Sequence, residues 1–148
     1  MRYFFYLLYH KWHVFLECCR LGIPLLGILH DLDKFLLDEF LPMAKLFSQT
    51  GSSLAKANDF RLDNIRLSLA KNLHYRRSRH HWESWVSFAG NGAIVELPVP
   101  DRYRREMLAD WRAAGKATRN MSAEEWYRAY GEKIRLHPDT RAWLEERL

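Results

Sequence analysis

Glycine and proline are few in this chain, seven and five in 148 residues, and their positions set where helices must stop. Between them apolar residues recur at helical spacing, which predicts an all-α fold: one compact single-domain helical bundle spanning residues 1–148. The run Arg2 to Leu21 is rich in apolar and aromatic residues and ends at Gly22-Ile23-Pro24, a stop signal of the expected kind. Leu25 to Leu37 reads as a second helix with Leu26, Leu29 and Leu36 in its core, and Asp38 to Phe47 continues as a third after a bend. Gln49 to Ser53 reads as a loop, followed by a helix from about Asn58 or Asp59 to about Arg77, carried by Phe60, Ile65, Leu69 and Leu73. The breakers from Gly90-Asn91-Gly92 through Pro98 predict one long irregular loop. Pro100 suits the first turn of a helix over Asp101–Ala114. Ser122 with Glu125 forms a capping box for a helix from about Ala123, and a last helix runs from about Pro138 to the end.

A chain of this length fits one domain with a real core. With 48% apolar and 14% aromatic residues, disorder is excluded as a dominant state. Trp12, Phe15, Trp82, Trp85, Trp111, Trp126 and Trp143 read as packing anchors. Cys18 and Cys19 are adjacent, cannot comfortably pair with each other, and read as small buried hydrophobes in a reduced, cytoplasmic setting. His10, Lys11, His13, Glu17 and Arg20 interrupt the apolar stretch from 3 to 29, so no signal or membrane-spanning segment is expected. A net charge of +5 favours anionic partners such as nucleotides, nucleic acid or an acidic surface, without choosing among them.

Six of the seven histidines cluster: His10 and His13, then His30-Asp31, His74, and His80-His81, with Asp110 on a later helix. Imidazole with carboxylate suits Mn, Fe, Co, Ni or Zn, and mixed N/O sets suit hydrolytic sites with open positions. His10, His13 and Glu17 lie three and four residues apart, so one helical face presents all three. His30 and Asp31, read as neighbours on the second helix, stand about 100° apart, and Lys34 lies one turn beyond, within reach of an anion held at a metal. Asp33 and Glu39 read as solvated helix charges. His137 alone carries no such signal.

His30-Asp31-Leu32-Asp33-Lys34 resembles the HDxxK signature of the HD-domain phosphohydrolases, which is likewise preceded by a helix bearing a histidine. His74 and His80-His81-Trp82-Glu83 resemble the elements that members with two or more metals add downstream. More narrowly, the chain is similar to small phage and bacterial proteins of unknown function that share a His-rich first helix, HDxxKF (through Phe35), HHWExW (through Trp85) and HPxT, here His137-Pro138-Asp139-Thr140. The superfamily resemblance implies one or two divalent metals. His13 or His10 would be the first ligand, His30 and Asp31 the central pair, and Asp110 or Asp101, or in their place His81, would close the site; His74, His80 and His81 would serve a second ion. It further implies hydrolysis of a phosphate ester or anhydride, of a nucleotide or another small phosphorylated molecule, with Asp31 and Lys34 in the chemistry. Lys34 and Arg76, Arg77 or Arg79 would hold the phosphate. The glycine-rich element of the cyclic-dinucleotide branch is missing. Two other readings of the same residues are a non-catalytic nucleic-acid or protein binder with a structural metal, such as a phage accessory factor, and an HD-like di-iron oxygenase.

Overall fold

The computed structural model describes residues 2–50 and 65–148. Helix α1, Arg2–Arg20, buries Tyr3, Leu7, His10, Val14, Glu17 and Cys18 along one face. It ends in a Schellman motif: the amide of Ile23 donates to the Cys18 carbonyl (2.9 Å), that of Gly22 to Cys19 (3.2 Å), and Gly22 takes a φ of +74°. Pro24 then opens the short helix α2, Pro24–Leu29. Gly27 lets α2 lie directly on α1, because a Cβ there would stand 2.9 Å from the Phe15 Cα and 2.8 Å from the Cys18 Cβ.

The second helix is much shorter than the predicted span to Leu37. It stops at Leu29, Asp31 turns into the left-handed region (φ +54°), and a single 3-10 turn covers Leu32–Phe35. Helix α3, Leu37–Thr50, includes Gln49 and Thr50, which were expected in a loop. Residues 51–53 of that loop and the predicted helix start at Asn58 or Asp59, with Phe60, lie outside the described residues. Helix α4 covers Ile65–Arg77.

A 3-10 turn at Trp82–Trp85 leads into a small antiparallel hairpin within the region read as irregular: strand β1, Val86–Phe88, pairs with β2, Ile94–Glu96, with Val86 opposite Glu96. The strands are short and their side chains largely exposed, so no alternation of buried and polar residues betrayed them. Helix α5 runs Asp101–Thr118, four residues beyond the predicted end. Helix α6, Ala123–Tyr130, carries the capping box as read, with both Ser122 and Glu125 bonds made. Helix α7, Pro138–Glu145, closes the chain.

The fold is all-α apart from that hairpin, and α1 and α5 form its spine. Val14 and Cys18 meet Ala109 and Ala113 there, small residues that let the two helices approach closely. Met107 and Leu108 carry α5 into a second cluster with Val99, Ile134, Leu136 and Leu144. Tyr3, Leu7 and Phe47 lock α3 against the start of α1. No described helix is long and apolar enough to cross a membrane. The aromatic anchors are not all interior, since Trp12 is 57% exposed, and Cys19 is exposed while Cys18 is buried.

Candidate metal centre

The spine brings two turns of histidine and carboxylate together. On α1, His10 faces α5, where Asp110 holds its Nε2 at 3.0 Å from Oδ1. One turn earlier on α5, Glu106 points to the same side. The break after α2 delivers His30 and Asp31 between them. Because Asp31 adopts a left-handed conformation, its carboxylate comes back onto His30, with Nε2 to Oδ2 at 3.1 Å, rather than standing on a continuous helix as the sequence suggested. From the other side, α4 carries His74 in its last turn, and the chain just beyond the helix supplies His80 and His81.

Besides two groups of three, His30 with His80 and Glu106, and Asp33 with Glu39 and His74, there are two groups of four whose donor atoms all lie within 4.8 Å of one another: His10, His30, Asp31 and Asp110, and Asp31, His74, His80 and His81, the larger two being the candidate cation positions. Asp31 belongs to both groups of four. Its Oδ2 serves the first, while Oδ1 lies 3.5 Å from Nε2 of His74 and 3.5 Å from Nε2 of His80. Three buried atoms of these side chains, Nε2 of His30, Oδ1 of Asp31 and Nε2 of His80, make no hydrogen bond, although Nε2 of His30 lies 3.1 Å from the Asp31 carboxylate. Buried polar atoms are ordinarily satisfied, so three such atoms in one cluster mark a place that a ligand would fit. Nε2 of His74 and Nε2 of His81 face each other at 2.8 Å, where a single proton at most fits between two lone pairs.

Outer carboxylates fix the rings. Glu106 Oε1 accepts from Nδ1 of His30 at 3.0 Å and stands 3.4 Å from Nδ1 of His80, which leaves both Nε2 atoms free to ligate. Nδ1 of His74 is met by Asp33 Oδ2 at 2.8 Å and Glu39 Oε2 at 3.2 Å, and Ser78 donates to Asp33 at 3.0 Å. Asp33 and Glu39 are therefore not solvated helix charges: Glu39 is 1% exposed. Sequence reasoning passed over all three. Glu106 had a usable signal, since it stands one turn before Asp110 on the same helical face.

Other expected residues lie elsewhere. His13 is outside both groups, with its ring edge-on to Tyr9 at 4.6 Å. Three residues turn a helix by about 300°, which leaves His13 roughly 60° around from the buried face that carries His10. Glu17 is buried against Lys116 and Arg20, away from the centre. Asp101 pairs with Arg104 and Arg105 at the start of α5. Of the expected phosphate-holding cations, Lys34 reaches the site and donates to Asp31 Oδ2. Arg77 is instead engaged by Asp38 (2.8 Å) and Glu39, Arg79 lies over the Tyr103 ring, and Arg76 is exposed.

Burial and charge work against each other here. Burial opposes charging His30, but Asp31, Asp110 and Glu106 outweigh it and raise its pKa well above the ordinary imidazole value. Burial would raise Asp31 and Asp110, yet His30 with Lys34, and His10 with His30, hold the two carboxylates well below their usual range. Burial lowers His10, and burial with the neighbouring His80 and His74 lowers His81 well below normal, so these rings favour the neutral, ligating form. Burial also pushes Glu83 up to about 7, its carboxylate 4.0 Å from His81 Nδ1.

Five imidazoles and two carboxylates make a nitrogen-rich donor set of the kind that binds Mn, Fe, Co, Ni or Zn. Fold and site together define an all-α protein with one small hairpin, built around a buried histidine–carboxylate centre whose two four-residue donor groups share Asp31. The chain belongs to the DUF5662 family, described as a family of unknown function, whose model matches residues 1–148. No curated protein and no solved structure matches it.

Proposed function

We propose that this protein is a metal-dependent phosphohydrolase of the HD kind, acting on a nucleotide or another small phosphate ester. The observation that carries the reading is the position of Asp31: one carboxylate shared by two ligand groups, amid unpartnered Nε2 and Oδ1 atoms. His10, His30, Asp31 and Asp110 would hold one divalent cation, and Asp31, His74, His80 and His81 a second. When bound, such cations lower the pKa of water and polarise a phosphoryl oxygen.

The chain's own residues do the rest. Glu106 keeps the His30 and His80 tautomers fixed, and Asp33 with Glu39 does so for His74. Lys34, held in its charged form by Asp31 and Asp110, stands beside the shared carboxylate, where an ammonium attracts and orients a phosphate dianion. The surrounding burial excludes bulk water and strengthens each of these charge interactions.

The test is metal analysis of the purified chain together with phosphate release from a panel of nucleotides and phosphate esters with Mn, Fe, Co, Ni or Zn added. The expected result is bound metal and turnover, both lost in His30→Ala and Asp31→Ala, with Lys34→Gln raising KM more than it lowers metal content. A metal-loaded chain that releases phosphate from none of them would end the hydrolase reading. The shared carboxylate between two nitrogen-rich positions also favours a second reading, a di-iron oxygenase, which would show iron-dependent oxygen uptake in place of phosphate release.

A further inference from the structure

Helix α1 is amphipathic in an unusual sense. Its inner face carries His10 and Glu17, while its outward face carries Phe5, Leu8, Tyr9 and Trp12, spaced i, i+3, i+4 and i+7 and without a charge among them. Phe5 is 62% exposed and Trp12 57%. Helix α2 lies alongside, tied to α1 by Lys11 Nζ donating to the Ile28 carbonyl at 2.7 Å, and extends the face with Leu25 (74% exposed), Ile28 and Leu29. With roughly 150–250 Å² per large side chain, about half of it uncovered, this face holds on the order of 800 Å² of apolar surface. That exceeds the largest patch on most monomers, about 300–600 Å², and equals the roughly 800 Å² each partner gives to a stable protein interface.

We propose that this face pairs with a second copy of the chain, α1 against α1 about a two-fold axis. The stripe is self-complementary, as such an interface requires: with antiparallel helices and the axis between Leu8 and Tyr9, Phe5 of each copy meets Trp12 of the other. The spacing is that of helix-on-helix packing. Of the cations on α1 that an acidic surface or an anionic membrane would recruit, Lys11 is engaged by the Ile28 and His30 carbonyls and Arg20 by Glu17, which leaves Arg2 alone at the end of the stripe. The stripe lies across α1 from His10, so pairing leaves the candidate metal centre uncovered.

Sedimentation equilibrium of the full chain tests this. The expected mass is twice 17.7 kDa at micromolar concentration. Trp12→Glu should raise the dissociation constant at least about 30-fold, the loss typical of a central Trp anchor, with unchanged circular dichroism. Phe88→Glu, at a residue 74% exposed on the hairpin, should leave the mass unaltered. Leu8→Cys, placed beside the axis, should form a covalent dimer under mild oxidation to a greater extent than the wild type with its exposed Cys19. A wild-type chain that stays monomeric at 100 times that concentration overturns the proposal, as does a dimer indifferent to Trp12→Glu. Flotation of a monomeric chain with anionic phosphatidylserine vesicles would assign the face to a membrane surface instead.

Discussion

Replacing Glu106 should loosen the centre while leaving every member of the two four-residue donor groups in place. Its Oε1 fixes His30 at 3.0 Å and stands 3.4 Å from the His80 Nδ1, so its loss frees two rings to rotate or to move a proton onto the nitrogen that faces the cation. Loss of such an outer partner weakens metal binding about 10–100-fold, or about 1.4–2.8 kcal/mol. Metal at about 100 times Kd stabilises a folded chain by about 2.7 kcal/mol. Glu106→Ala should therefore forfeit about half or more of that gain, roughly 1.3–2.3 kcal/mol, a loss of roughly 3–9 °C in the metal-induced rise of Tm for a domain of this size. Glu106→Gln keeps an acceptor oxygen but not the charge, and should fall between. The alanine variant should also melt lower without metal, since two buried Nδ1–H groups lose their acceptor at about 1–3 kcal/mol each. Calorimetry of the three proteins with and without added Mn or Zn measures this directly. An identical metal-induced shift in wild type and Glu106→Ala would show that the outer carboxylate does not hold the ligands, and the geometric argument for the centre would fail with it.

Gly27→Ala should destabilise the chain by about 1–3 kcal/mol, as overpacking does, because the new Cβ would meet the Cys18 Cβ at 2.8 Å and the Phe15 Cα at 2.9 Å; urea denaturation checks this, and a neutral result would mean α2 moves freely on α1. Glu17 resists burial, but Lys116 and Arg20 hold its pKa below the usual carboxylate value, so its stabilising contribution is complete above about pH 4.3 and is lost as pH falls through the depressed folded value. Wild type should then lose more stability than Glu17→Gln between pH 5 and pH 3, by roughly 1.5 kcal/mol, and parallel stability curves for the two would contradict the assignment. Ser122→Ala removes half of the capping box and should cost about 1 kcal/mol, read as a lower Tm with the metal content unchanged.

Much of the local structure was legible in the residues themselves. Gly22 and Pro24 end one helix and start the next, Pro100 and Pro138 open α5 and α7, and Ser122 with Glu125 caps α6, because each signal acts through bonds and φ preferences within a few residues. The adjacency of His30, Asp31 and Lys34 was likewise visible, though not the left-handed turn that folds the Asp31 carboxylate onto His30. Only the packed structure decided that His10 rather than His13 enters the centre, that Glu106, Asp33 and Glu39 support it, and that Arg77 is occupied by Asp38 and Glu39. Those outcomes depend on how α1, the α2 break, α4 and α5 rotate about their axes when their apolar faces meet. Each residue turns a helix by about 100°, so a pattern read along one segment cannot say which neighbouring side chain will face a partner supplied from a hundred residues away.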